Sequence, residues 1–344
     1  MSTPTLAPST PGVFRRSSAR ALSSPSLRLV GKRLATAIPV LWGVSLVTFL
    51  VINVMPGDAA QQLLGANATP DQVAQLRSQL HLDQPVFERY VNWLGDVLTG
   101  NLGSSFASDQ PVTSILSERL PVTFELLGYA FVVSLGLTVP VALLAARRPN
   151  GIVDRLSMMV SMVGLSVANY VLALLLVYVF AVKLDWLPAI GYVNPADGIW
   201  PFIKSLTLPA VSIGFPLFCF YTRLLRADIL EQMQGEDYVL TARAKGIGPW
   251  RVLIRHALPN SLFGLLTLVA LNLGTLIGAT VIIESIFALP GIGQSLLQAI
   301  NNRDVAVIEA IVLVLSVVVV AANLIADLLY AVLDPRIRHE RSAS

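Results

Sequence analysis

The chain reads as an all-α integral membrane protein with six transmembrane helices, and three observations carry that reading. Of its 344 residues, 54% are hydrophobic and 13% charged, against about 25% charged in a soluble domain. Six largely apolar stretches without charge approach or exceed the ~20 residues that cross a bilayer. Lysine and arginine crowd into alternate intervening segments, the pattern that fixes orientation in a membrane.

In chain order the stretches are 34–57, 126–146, 156–182, 205–222, 257–283 and 310–326, the last continuing through Asp327 to Leu333. Asp327 lies near the end of its span, where the surrounding Leu, Val and Ile outweigh its insertion cost of about 2.5–3.5 kcal/mol. The segments before the first span, between the second and third, between the fourth and fifth, and after the sixth hold 18 of the 24 Lys and Arg residues. Positive residues stay in the cytoplasm, which places both termini there. The first span is longer than a signal-peptide core, and no small-residue cleavage site follows it.

Outside the spans, residues 1–30 read as a disordered cytoplasmic tail, because 1–27 are rich in Ser, Pro, Thr and Ala without an apolar period. Residues 58–120 form the one sizeable extracytoplasmic segment. Thr69-Pro70-Asp71-Gln72 resembles a helix start with a capping box, and Val73, Leu76 and Leu80 then share a face. A second helix from near Pro85 to Leu98 carries Val86, Tyr90, Val91, Leu94 and Val97 on its apolar side. A segment of this length in a compact protein is more often a working surface than filler, and a docking surface is expected here.

The cytoplasmic segment 235–259 is the most informative. Tyr238–Lys245 reads as a short helix stopped at Gly246, a residue suited to a left-handed C-terminal position. Pro249 opens a second helix, expected to end where Pro259 leads into the fifth span. Arg243, Lys245, Arg251 and Arg255 then share a surface with Trp250. Such an element either rests on anionic headgroups or inserts as a rigid knob into a partner's groove.

Chemistry-bearing patterns are few. The lone Cys219 permits no intrachain disulfide, and His81, His256 and His339 lack ligand-like spacing, so neither a metal nor another cofactor is expected. No Gly-x-x-x-x-Gly-Lys-Ser/Thr loop is present, so ATP binding in a phosphate loop is not expected. Nothing suggests nucleic-acid binding or a nucleophile–base pair. The charged residues of the spans (Glu125, Glu284, Asp327) lie toward their ends, which disfavours a proton-coupled secondary transporter. Polar residues that suit a wet path are Ser157, Ser161, Ser166 and Asn169 in the third span and Asn272, Thr275, Thr280 and Glu284 in or near the fifth; helix-packing glue serves equally well for each. Gly274 and Gly278 form a small-residue face that admits another helix closely.

The segment from Gly246 to His256, Ala257, Leu258 and Pro259 resembles the EAA loop of ABC importer permeases. The preceding Asp237-Tyr238-Val239, with Thr241-Ala242-Arg243-Ala244-Lys245-Gly246, is similar to the form in the oligopeptide/dipeptide/nickel permease family. Further matches are Pro56-Gly57-Asp58, Leu82-Asp83-Gln84-Pro85, Gly100-Asn101-Leu102-Gly103, Glu284-Ser285-Ile286-Phe287, Pro290-Gly291-Ile292-Gly293, Asn302-Arg303-Asp304 and Asp334-Pro335-Arg336. The triplet itself reads Leu240-Thr241-Ala242, and the proline usual near Ser166–Tyr170 is missing. The resemblance spans about residues 30–338, and the outer insert suits the first (B-type) permease. It implies a type I importer permease fold and the residues Asp237, Tyr238, Thr241, Ala242, Arg243, Ala244, Lys245, Gly246, His256, Leu258 and Pro259 as the ATPase-coupling loop. The implied partners are a second permease subunit, two ATPase subunits, an extracytoplasmic binding protein and a peptide cargo, with nickel or glutathione as alternatives. Hydrolysis falls to the ATPases.

Overall fold

A computed structural model describes residues 25–54, 68–79 and 83–333. The tail before Pro25, the Pro56-Gly57-Asp58 motif, His81 and the segment after Leu333 lie outside those residues. The secondary structure of the described residues is helical, with an isolated antiparallel bridge between Ser104 and Pro111.

The first helix, α1 (Pro25–Val54), begins six residues inside the expected tail, with Pro25 at a position where a missing N–H costs nothing. Then come α2 (Pro70–Gln79) and α3 (Val86–Leu98) of the outer insert. The reciprocal bonds of a capping box open α2: the Thr69 N–H donates to Gln72 Oε1 at 2.9 Å and the Gln72 N–H to Thr69 Oγ1 at 3.4 Å. The α3 helix packs on α1 through Tyr90, whose hydroxyl meets Ser45 Oγ at 2.8 Å and whose ring lies edge-on to Phe49 at 5.3 Å.

The helix α4 (Val112–Arg147) is longer than the expected second span, so residues 112–120 of the predicted insert belong to it. The long α7 (Ile199–Gly235) packs along α4. A Cβ placed on Gly214 would lie 2.8 Å from the Ala130 carbonyl oxygen, so the absent side chain sets how closely these two backbones approach. Pro121 and Pro140 in α4, like Pro209 and Pro216 in α7, remain inside their helices. Such breaks in the hydrogen-bond ladder are tolerated where neighbouring helices supply partners.

The predicted third span is not one straight rod. It forms α5 (Ile152–Ser166) and α6 (Asn169–Leu176, running on as a π-helix to Lys183), bent by 106°. Val167 and Ala168 at the break are extended, with ψ of 127° and 142°. The bend therefore forms without the proline that the family resemblance leads one to look for near Ser166–Tyr170. Five single helices are long and apolar enough to cross a membrane, and the bent pair makes up to six.

After α7 come α8 (Asp237–Ala244), α9 (Pro249–Val252), α10 (Leu258–Ile286), α11 (Ile292–Asn302) and α12 (Val305–Leu333). The α10 and α12 helices pack together, and a Cβ on Gly274 would come within 3.1 Å of Val319, so this half of the small-residue face does bring two helices close. Gly278 faces open space and the face does not extend to it. Arg33 of α1 pairs with Asp327 of α12 at 2.8 Å, which puts the start of the first span and the end of the last on one side of the bundle.

Candidate functional site

Two helices and a turn, 237–258, protrude beside the end of α7. In α8 the helical period turns Val239 and Ala242 inward, where they pack with Val252 of α9 and against Met233, Tyr238 and Ile247. The Tyr238 hydroxyl donates to Gln232 Oε1, and Arg243 Nη2 donates to the Met233 carbonyl at 3.0 Å. This apolar cluster and two hydrogen bonds hold α8 against the end of α7.

The turn is a Schellman stop. The Gly246 N–H donates to Arg243 O at 2.9 Å and the Ile247 N–H to Ala242 O at 3.2 Å, with Gly246 at φ +76°. Pro249 then opens α9 with its ring at a first-turn position. The chain does not stop again before the fifth span, contrary to the expected helix end at Pro259. It passes through a π-helical turn, Leu253–Ala257, straight into α10. Pro259 has no N–H to give to a preceding turn, and widening the helix by one residue ahead of it accommodates that loss. His256 sits half-buried in this turn, and its carbonyl accepts a bond from Asn260 at 3.3 Å.

The element is gripped from several sides. Leu253 and Ala257 pack with Tyr221, Leu225 and Ile229 of α7 and Ala142 and Ala146 of α4. The guanidinium of Arg147, at the end of α4, lies 5.1 Å over the Trp250 ring. Nearby, Arg226 makes two bonds of 2.7 Å to both oxygens of Asp154, joining α7 to the start of α5. The element thus packs directly against α4, α7 and α10.

The element leaves Leu240, Thr241, Ala244, Trp250 and Ile254 exposed, together with the charged Asp237, Arg243, Lys245, Arg251 and Arg255. Ala242, one of the residues the resemblance implies for the coupling loop, is 5% exposed and packs within the chain. Its neighbour Leu240 is 55% exposed. The signal for Leu240 was present in the sequence, since a helix that buries Val239 and Ala242 must turn Leu240 and Ala244 outward.

Residues 138–339 match the family of binding-protein-dependent transport system inner membrane components, and residues 26–127 match the N-terminal region of such components. The chain belongs to this family. A probable peptide ABC transporter permease protein of Sinorhizobium fredii is 38% identical over 308 residues, covering 90% of this chain and 98% of its own length. A dipeptide transport system permease protein of Alkalihalophilus pseudofirmus is 37% identical over 328 residues, with 90% and 98% covered. A glutathione transport system permease protein of Escherichia coli is 34% identical over 314 residues, with 91% and 100% covered.

In this permease the residues expected along a polar path differ in burial and in their hydrogen-bond partners. Ser161 and Thr280 are buried by helix packing, and the Thr280 hydroxyl donates to its own helix at the Ile277 carbonyl, 2.8 Å away. Ser166, Asn272 and Thr275 likewise bond to backbone of their own helices. Ser166 and Thr275 are exposed, whereas Asn169 and Asn272 are half-buried.

Glu284 is 0% exposed. Its carboxylate accepts from Thr123 Oγ1 at 2.7 Å and from the Gln294 N–H at 3.1 Å, at the N-terminus of α11. A negative group at that helix end answers the unpaired N–H groups and the local dipole. A Cβ on Gly291 would fall 2.3 Å from the Glu284 carboxyl carbon, so glycine there makes room for the acid. Glu284 thus fastens α11 to α10, while Asp304 holds the start of α12 to the loop that leads into α4 by accepting from Ser105 Oγ at 2.5 Å. On the same side, Tyr192 donates to Glu125 at 2.7 Å; burial first, then that carboxylate, pushes the Tyr192 hydroxyl above the usual phenol range.

Proposed function

We propose that this permease forms half of the translocation path of an ATP-driven importer for di- or oligopeptides. The supporting observation is the 237–258 element: a buried underside, a glycine-stopped turn and an outward face of Leu240, Ala244 and Trp250, all packed onto three long helices. A solvent-facing leucine and tryptophan on a rigid element suit a groove in a partner protein better than open water. In this reading the partner is an ATPase subunit. Nucleotide-driven movement of its groove pushes α8, and the π turn passes the movement to α10.

The remaining assignments follow from that arrangement and from the charge pattern. Both termini and the 237–258 element face the cytoplasm; the α2–α3 insert faces outward and receives the substrate-binding protein. A second permease subunit supplies the other half of the path, against which the exposed Ser166 and Thr275 are available. The chain itself hydrolyses nothing, and two ATPase subunits do that work. Peptide cargo is taken from the names of the peptide and dipeptide relatives. Purification of the intact assembly from its native membrane, with mass spectrometry of the ligand carried by the binding protein, tests the cargo. Short peptides are expected; a nickel complex alone would overturn the peptide assignment.

A further inference from the structure

A cavity of about 250 Å³ lies away from the 237–258 element, between α1, α3, the 101–106 loop and the first turns of α12. Its walls include Phe49, Trp93 and Phe106 together with Arg89, Asp96 and Glu309. Glu309 is 4% exposed, and its Oε1 has no hydrogen-bond partner among the described residues. A buried carboxylate oxygen with no donor is costly; Glu309 has the charge of Arg89 nearby, and a ligand that brings an N–H donor to Oε1 relieves the remaining cost.

The surroundings say what kind. Phe49 lies close to the end of α1, and Glu309 is in the second turn of α12, so the cavity sits where two spans leave the hydrocarbon. Phe49, Tyr90 and Trp93 stack there with ring centroids 5.3 to 6.1 Å apart, the aromatic composition of a headgroup layer. The α3 helix beside the cavity turns Phe87, Val91 and Leu98 outward on one stripe, as a helix lying in the membrane surface does. The walls also carry both signs of charge: Glu309 and Asp96 against the Arg89 guanidinium, which stands 5.8 Å over the Phe49 ring.

We propose that this cavity binds the headgroup of an aminophospholipid, with the primary ammonium donating to Glu309 and the phosphate on the Arg89 side. A lipid held there ties the outer insert to the first and last spans, at the surface where the insert meets the membrane. The inference is independent of the peptide reading, because it concerns the lipid side of the insert and not the path or the ATPase contact.

Native mass spectrometry of the full chain, extracted with its partner subunits, tests it directly. Phosphatidylethanolamine is offered against phosphatidylcholine, whose trimethylated nitrogen keeps the charge and loses every N–H donor. The wild type is expected to retain the ethanolamine lipid about tenfold better, the range of one charge-assisted hydrogen bond. Glu309→Gln is expected to bring the ratio within about twofold of unity. Asp96→Asn, on the exposed rim, lowers it by a smaller factor and serves if Glu309→Gln does not assemble. Equal retention of the two lipids by the wild type overturns the proposal, as does an unchanged preference in Glu309→Gln. Displacement of the ethanolamine lipid by dialanine assigns the ammonium site to cargo and overturns its assignment to lipid.

Discussion

Thr123 and Glu284, 161 residues apart in sequence, meet at 2.7 Å in the buried end of the helix bundle. The Thr123 hydroxyl donates to the carboxylate and accepts the Ile292 N–H at 3.0 Å, so a single side chain joins α4, α10 and α11. Thr123→Val keeps the shape and removes both bonds, taking one donor from the buried Glu284 carboxylate and the acceptor from the Ile292 N–H. The expected loss is about 2–3 kcal/mol, read as a lower apparent Tm of the purified assembly; Thr123→Ser should stay near wild type. Equal melting of Thr123→Val and wild type would show that this junction carries no stability.

Gly246 tests the turn. A Cβ there meets nothing within 4 Å, so any effect of substitution comes from its φ of +76° and not from a clash. Gly246→Val is expected to strain the turn by roughly 1–2 kcal/mol, lowering substrate-stimulated ATP hydrolysis while the subunit still inserts. Gly246→Asn, which tolerates the left-handed region, should retain most of it. Equal coupling in wild type and Gly246→Val would remove the turn from the mechanism.

The two faces of α8 should respond differently to charge. Leu240→Glu places a carboxylate on the outward face and should weaken ATPase association with the permease otherwise intact. Ala242→Glu forces a charge among Val239, Val252 and Ile247 and should destabilise the element itself by several kcal/mol, seen as protease cleavage within 235–250. Normal ATPase recovery with Leu240→Glu would move the docking face elsewhere.

These contrasts mark where the sequence was legible. The capping box at Thr69 and Gln72 and the stop at Gly246 are local, set by residues within one turn, and each was readable from spacing alone. The bend at Val167 and Ala168 carries no proline or glycine signal; it depends on what α5 and α7 pack against, which a single strand of text does not encode. Glu284 looked available to a path because its partners, Thr123 and the N-terminus of α11, come from distant segments. The inward face of Ala242 was not legible for a simpler reason: the face of a short helix is fixed by the helix it rests on, and Val252 lies beyond the turn.

Orientation is open to labelling. In a Cys219→Ser background, cysteines at Ser108 and Asp197 should react with an impermeant reagent from outside, and those at Asn150 and Glu236 only after the membrane is opened. The reverse pattern would invert the assignment of the 237–258 element.

The central claim, an ATP-driven and binding-protein-dependent permease, is tested most directly by uptake of a labelled dipeptide into proteoliposomes that hold the complete assembly. Uptake should require ATP on the ATPase side and the loaded binding protein on the other, fall to background when either is omitted, and ignore an imposed proton gradient. Uptake driven by the proton gradient without ATP would contradict the account.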